Sequence, residues 1–157
     1  MPRRDRALGT RPSGARRRAG IVVVDEGRVA LIRRRRDGLR YHLFPGGGVE
    51  AGETDEDAAI REAHEELGVR VEIVRLLGTV VFGTSTQVYF EARVTGGTFG
   101  TGTGSEMTSP PASASGSYEP IWLPIAELGS ADVRPAALAS MLVDGRLASS
   151  PFEIVET

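Results

Sequence analysis

The sequence predicts an α/β domain in which helices pack against a mixed β-sheet. Two observations carry this expectation. Runs of β-branched and apolar residues, separated by glycine-bearing turns, occur on both sides of an amphipathic helical segment. The strands and the two helices do not alternate in the regular βαβ order of a wholly parallel sheet. At 157 residues the chain fits one domain with a hydrophobic core of its own.

The elements follow in order. Residues 1–18, MPRRDRALGTRPSGARRR, read as a flexible arginine-rich N-terminal arm without the apolar stretch of a secretory signal. The main domain spans residues 19–157. Strands are expected at Ala19–Asp25 and Arg28–Arg34, joined by a turn at Asp25, Glu26 and Gly27. A short strand at Tyr41–Phe44 enters a loop rich in glycine. A helix is expected from about Asp55 to Leu67, with Thr54 as N-cap, Asp57 completing a capping box and Gly68 as the stop. VRVEIVRLLGTVVF and STQVYFEARVTG form a hairpin around Gly83 to Ser85. The low-complexity stretch 96–117 is expected to be a flexible surface loop. YEPIWLP resumes as a strand, and a second helix runs from Pro135 to near Gly145.

Composition excludes several functions. There is no cysteine, hence no disulfide, thiolate metal site or cysteine nucleophile. Lysine is absent, which removes a Schiff base or a P-loop. No apolar run approaches the ~18 residues of a membrane span, so no membrane partner is expected and a cytoplasmic location is. The net charge of -2 does not suit a polyanion binder, and nucleic acid is not an expected partner. The arginine arm is the one feature that would oppose this, by touching phosphates. A homodimer is left open.

Eight of the 21 acidic residues lie between Glu50 and Glu66. Those at the start of the helix complement its dipole. Glu62, Glu65 and Glu66 do not: they share one face near the C-terminal end, where like charges repel by about 0.2–0.5 kcal/mol per pair. Ile60, Ala63 and Leu67 would form the apolar stripe that packs on the sheet. Read alone, the three glutamates are either a solvated acidic face or a cluster of oxygen ligands for a hard divalent cation. The glycines 46–48 beside them would let backbone approach a ligand closely.

Gly47, Glu53 and Arg61-Glu62-Ala63-His64-Glu65-Glu66-Leu67-Gly68-Val69, at these spacings, resemble the complete Nudix box, and the chain is identified as a MutT-like member of the Nudix hydrolase family. The resemblance implies an α/β/α sandwich with a mixed central sheet. It also implies hydrolysis of a phosphoanhydride in a nucleoside diphosphate linked to another group, with Mg²⁺ or Mn²⁺ as cofactor. Glu62, Glu65, Glu66 and the carbonyl of Gly46 would hold the metal, and Glu53 with Arg61 would orient the carboxylates. Glu62 is the first candidate for general base, with Glu119 and Glu106 as candidates outside the box. Gly47, Gly48, His42 and Arg34 are the expected contacts to the nucleotide substrate. His64 is expected at the surface, and Phe44, Phe82, Tyr89 and Trp122 in the core. The alternatives are a non-catalytic domain that senses a nucleotide, or nucleic-acid binding through the arm.

Overall fold

The computed structural model describes residues 16–104, 116–148 and 151–156. Most of the predicted arm, Glu106 and residues 105–115 of the predicted loop lie outside the described residues. The strands are β1 (Arg16–Val22), β2 (Val24–Asp25), β3 (Arg28–Arg36), β4 (Leu39–Leu43), β5 (Gly46–Gly48), β6 (Val69–Phe82), β7 (Ser85–Gly97), β8 (Ser117–Pro124), β9 (Val133–Arg134) and β10 (Phe152–Glu156). The helices are α1 (Asp55–Leu67) and α2 (Ala136–Val143), with 3-10 turns at Ile125–Ser130 and Arg146–Ala148.

The strands form two mixed sheets. The first has the order β10-β6-β7-β1-β5, parallel at β10/β6 and β1/β7 and antiparallel elsewhere. The second runs β2-β3-β4-β9, with β8 also paired to β3. Strand alternation sends side chains to two opposite cores. Ala19, Ile21, Val88, Phe90, Ala30 and Ile32 join Ala59, Ala63 and Leu67 of α1. Val22, Tyr89, Val29 and Leu31 join Leu138 and Ala139 of α2. The mixed strands therefore lie between helices, the α/β/α arrangement the family resemblance implied.

Local signals in the sequence account for α1. The Thr54 side chain accepts from the Asp57 N–H and the Asp57 side chain accepts from the Thr54 N–H, which completes the capping box. Gly68 closes the helix with φ 78°, a left-handed conformation suited to glycine, and donates to the His64 carbonyl. Arg17 on β1 holds Asp55 in the first turn through two hydrogen bonds of 2.7 and 2.6 Å.

Several expectations need correction. β1 begins at Arg16, not Ala19, because the alternating Arg16, Arg17, Arg18 pair in register with Ser85–Gln87. Ile60 is 38% exposed and does not belong to the buried stripe. The buried residues of α1 are Ala58, Ala59, Ala63 and Leu67, and Ile60 lies about 100° round the helix from Ala59. Phe82 is not core: at the end of β6, beside the hairpin turn, it is 54% exposed. Phe44 and Tyr89 are buried, and Trp122 is half-buried, stacked on Phe99 at 4.9 Å between centroids. The strands β9 and β10 have no counterpart in the sequence reading. Among the described residues no helix is long and apolar enough to cross a membrane.

Leu67→Ala should cost about 2–5 kcal/mol, whereas Ile60→Ala should change stability by less than about 0.5 kcal/mol. Urea denaturation of both variants measures the contrast; equal losses would mean that the stripe is centred on Ile60 after all.

Candidate active site

The acidic side chains of α1 converge with the glycine loop on one side of β1. Arg61 is the hub. Its Nε and Nη2 donate to the two oxygens of Glu53 at 2.8 and 2.9 Å. Its Nη1 donates to Glu62 at 2.9 Å and to Glu65 at 3.2 Å. Nη2 also reaches the Gly48 carbonyl at 2.9 Å. One guanidinium thus joins the loop before the helix, β5 and two of the glutamates. Glu53 in turn accepts from the Glu50 N–H at 2.8 Å. The hydrogen bonds and charge of Arg61 hold the Glu53 carboxyl below its ordinary range.

Glu66 is tied differently. The Gly46 N–H donates to its Oε1 at 3.2 Å, and the Glu62 carboxyl lies near it in the same cleft. Burial pushes the Glu66 carboxyl well above the ordinary range, and the charge of Glu62 pushes it further. The glycines are required by this packing. A Cβ on Gly47 would strike the Glu62 carboxylate, and one on Gly46 would strike the backbone of β1 at Ala19 and Gly20.

The donor set suits a hard cation, because Glu62 and Glu66 line one cleft with carboxylate oxygens, Arg61 bonding Oε1 of Glu62. Glu65 shares the Arg61 Nη1 donor with Glu62 but does not line the cleft that Glu62 and Glu66 line. Among the described residues no three His, Asp or Glu side chains come together as a metal-holding group. The Gly46 carbonyl, the further expected ligand, accepts from Arg18 at 3.2 Å.

The cleft above these carboxylates has a volume of about 230 Å³ and is also lined by Arg16, Arg18, Arg34 and Tyr118. Arg34 is buried and stacks on the Tyr118 ring at 3.6 Å. Cross-strand register explains which predicted residues reach the cleft. Tyr41, Arg34 and Tyr118 form one row across β4, β3 and β8, while His42, Arg33 and Glu119 form the next. A step of one residue changes the face. The structure therefore keeps His42 and Glu119 away from the carboxylates. Glu119 pairs with Arg33 at 3.5 Å. His42 is buried beside the Asp132 carbonyl, 3.2 Å from its Nδ1. His64 is exposed, as expected.

Sequence reasoning missed Arg16, Arg18 and Tyr118. The signal was the period-two continuation of β1 backwards through RRRAGIV, hidden inside a segment rich in arginine.

The family model described as NUDIX domain matches residues 14–142. The chain belongs to the NUDIX family. It is 47% identical over 60 residues to a MutT-like protein of Streptomyces ambofaciens, 38% of each chain. It is 39% identical over 82 residues to an RNA pyrophosphohydrolase of Shewanella sediminis (strain HAW-EB3), 52% of this chain and 43% of that one. The matches thus span less than half the length of these curated relatives. A NUDIX hydrolase from Nitrosomonas europaea superposes with a TM-score of 0.69 at 20% identity, covering 90% of this chain and 78% of that one. A MutT NUDIX hydrolase from Burkholderia pseudomallei does so with a TM-score of 0.62 at 25% identity, covering 82% and 98%.

Burial lowers the basicity of His42 below the ordinary 6.5, against the opposing hydrogen bond to Asp132. The unfolded chain therefore binds this proton more readily, and stability present at neutral pH should be lost as pH falls below about 6.5. Denaturation midpoints at pH 7.5 and pH 5 should differ less in His42→Gln than in the parent. An unchanged difference would remove His42 from the acid response.

Proposed function

We propose that this domain hydrolyses a phosphoanhydride bond in a nucleoside diphosphate linked to another group, using a divalent cation. Family membership supports hydrolase activity in general. The observation that carries the reading is that Glu62 and Glu66 line one cleft together with the glycine loop and the arginines at 16, 18 and 34. Mg²⁺ or Mn²⁺ would be held by Glu62 and Glu66, with Glu65 and the Gly46 carbonyl as the other oxygens in reach of the family's pattern. Such a cation neutralises phosphate oxygens and makes a bound water more acidic.

The chain's own residues supply the rest. Glu62 takes the proton of the attacking water, a role worth about 10²–10⁴-fold in rate. Arg61 and Glu53 fix the direction of Glu62, so that its oxygen is aimed before substrate arrives. Arg16, Arg18 and Arg34 bind phosphate oxygens on the opposite wall. Gly47 and Gly48 present bare backbone to the substrate. Glu119 is no base in this scheme, because its row faces the other way and its charge is engaged by Arg33.

A panel of nucleoside triphosphates, ADP-ribose, sugar nucleotides and dinucleoside polyphosphates, assayed with Mg²⁺ and with chelator, tests the reading. Turnover of at least one should require the cation, and Glu62→Gln should lower kcat by about 10²–10⁴-fold. Full activity of Glu62→Gln, or no turnover of any member by the parent, would overturn it.

A further inference from the structure

We propose that the segment 98–104, tethered by the stack of Phe99 on Trp122, is a positioning strap that fixes Glu65 and Glu66 for the cation. This rests on the hydrolase reading above and adds to it residues outside the stretch 47–69. Glu65 and Glu66 stand in the last turn of α1. Carbonyls there have no N–H partner within the helix, and helix ends fray. A carboxylate carried on a fraying turn is not held where a cation needs its oxygens.

The strap supplies the missing partners. It leaves β7 at Gly97 and turns tightly, with the Thr101 hydroxyl donating to the Thr98 carbonyl at 2.6 Å. The Gly100 N–H then donates to the Leu67 carbonyl at 2.8 Å, and the Gly104 N–H to the Glu65 carbonyl at 2.9 Å. Between these two bonds the strap touches the helix backbone directly. A Cβ on Gly102 would strike the Glu65 carbonyl oxygen and the carbonyl group of Glu66, and one on Gly68 would strike the backbone of Thr101. Gly100 has a φ of 95°, a conformation that favours glycine. The run GTGTG at 100–104 thus gives the seam the residues it needs.

Phe99 fixes the strap from the other side. Its ring stacks on Trp122 with 4.9 Å between centroids and 28° between planes. Trp122 is held in β8, paired with the buried Ala30 of β3, and the Arg28 guanidinium lies 5.5 Å from its ring centre. Both rings pack against the core under α1. The strap is therefore clamped between the second sheet and the last turn of the carboxylate helix. Glu66 is fixed at both ends: its side chain by the Gly46 N–H at 3.2 Å, its backbone by the strap.

Among the described residues, the lining of the carboxylate cleft includes none from the strap. The strap therefore acts on a ligand only through the backbone of α1. Its release loosens Glu65 and Glu66, while Arg61, Glu53 and Glu62 keep bonds of their own. Cation affinity is the property it controls. The arginines at 16, 18 and 34 stand on β1 and β3, so nucleotide binding without cation does not depend on the strap.

The test is calorimetric binding of Mn²⁺ to the full chain, in the parent, Phe99→Ala, Phe99→Tyr and Gly102→Ala, each checked for folding by circular dichroism. Phe99→Ala and Gly102→Ala should bind Mn²⁺ about 10–100-fold more weakly. Phe99→Tyr, which keeps the stack, should retain the parent affinity. Exchange of the Gly100 and Gly104 amide hydrogens should quicken in Phe99→Ala, and ADP binding in chelator should stay the same in all four. Should Phe99→Ala fail to fold, Phe99→Leu, which keeps bulk without the ring, takes its place with the same expected loss. Unaltered Mn²⁺ affinity in the alanine variants, a loss in Phe99→Tyr equal to theirs, or a parallel loss of ADP binding would overturn the proposal. Turnover of nucleotides with Mg²⁺ by the parent judges the enzymatic reading separately. Turnover with unaltered Mn²⁺ affinity in the variants defeats only this proposal, weakened Mn²⁺ binding without parent turnover defeats only that reading, and a parent that binds no Mn²⁺ defeats both.

Discussion

Arg61 is the interaction on which the rest of the site depends. Three carboxylates in the last turns of α1 repel one another and oppose the helix dipole. Arg61, one residue before the first of them, reaches two of the three and also anchors Glu53 and the Gly48 carbonyl. A single exposed ion pair contributes ~0–1 kcal/mol. This one is neither single nor fully exposed: the side chains of Arg61, Glu53 and Glu62 are 24%, 18% and 12% accessible. Charge-assisted bonds in such a setting are stronger than on a free surface, and removing one partner leaves the others unpaired. The shape of the loop follows from the same point, since Gly47 must lack a side chain to leave room for the Glu62 carboxylate.

The end of α1 receives further help from backbone donors. Gly68 donates to the His64 carbonyl, Gly100 to Leu67 and Gly104 to Glu65, at 3.0, 2.8 and 2.9 Å. These N–H groups satisfy carbonyls that would otherwise add to the negative end of the dipole. The start of the segment after β7 is thus a cap for the carboxylate helix. The tension in the sequence is relieved by two separate devices, a guanidinium and a line of glycine N–H groups.

Much of this was legible from local chemistry. The bounds of α1, its capping box and its glycine stop depend on residues within a few positions of one another, and the spacing from Gly47 to Val69 carried the family. What failed depends on register between distant strands. His42 and Glu119 look as available as Tyr41 and Tyr118 until β3 places Arg33 against the first pair and Arg34 against the second. Phe82 looks like core until the hairpin carries it to the rim. Ile60 misled for a simpler reason: the alanines at 58, 59 and 63 bring the helix close to the sheet, and size was mistaken for burial.

On the proposed function Arg61 positions the carboxylates it bonds and does not itself hold substrate. Its direct test is the affinity of the nucleotide-free protein for Mn²⁺, measured by calorimetry in the parent and in Arg61→Ala. Cation affinity should be about 10–100-fold weaker in the variant, with nucleotide binding in chelator unchanged. An unaltered Mn²⁺ affinity together with weakened nucleotide binding would contradict it.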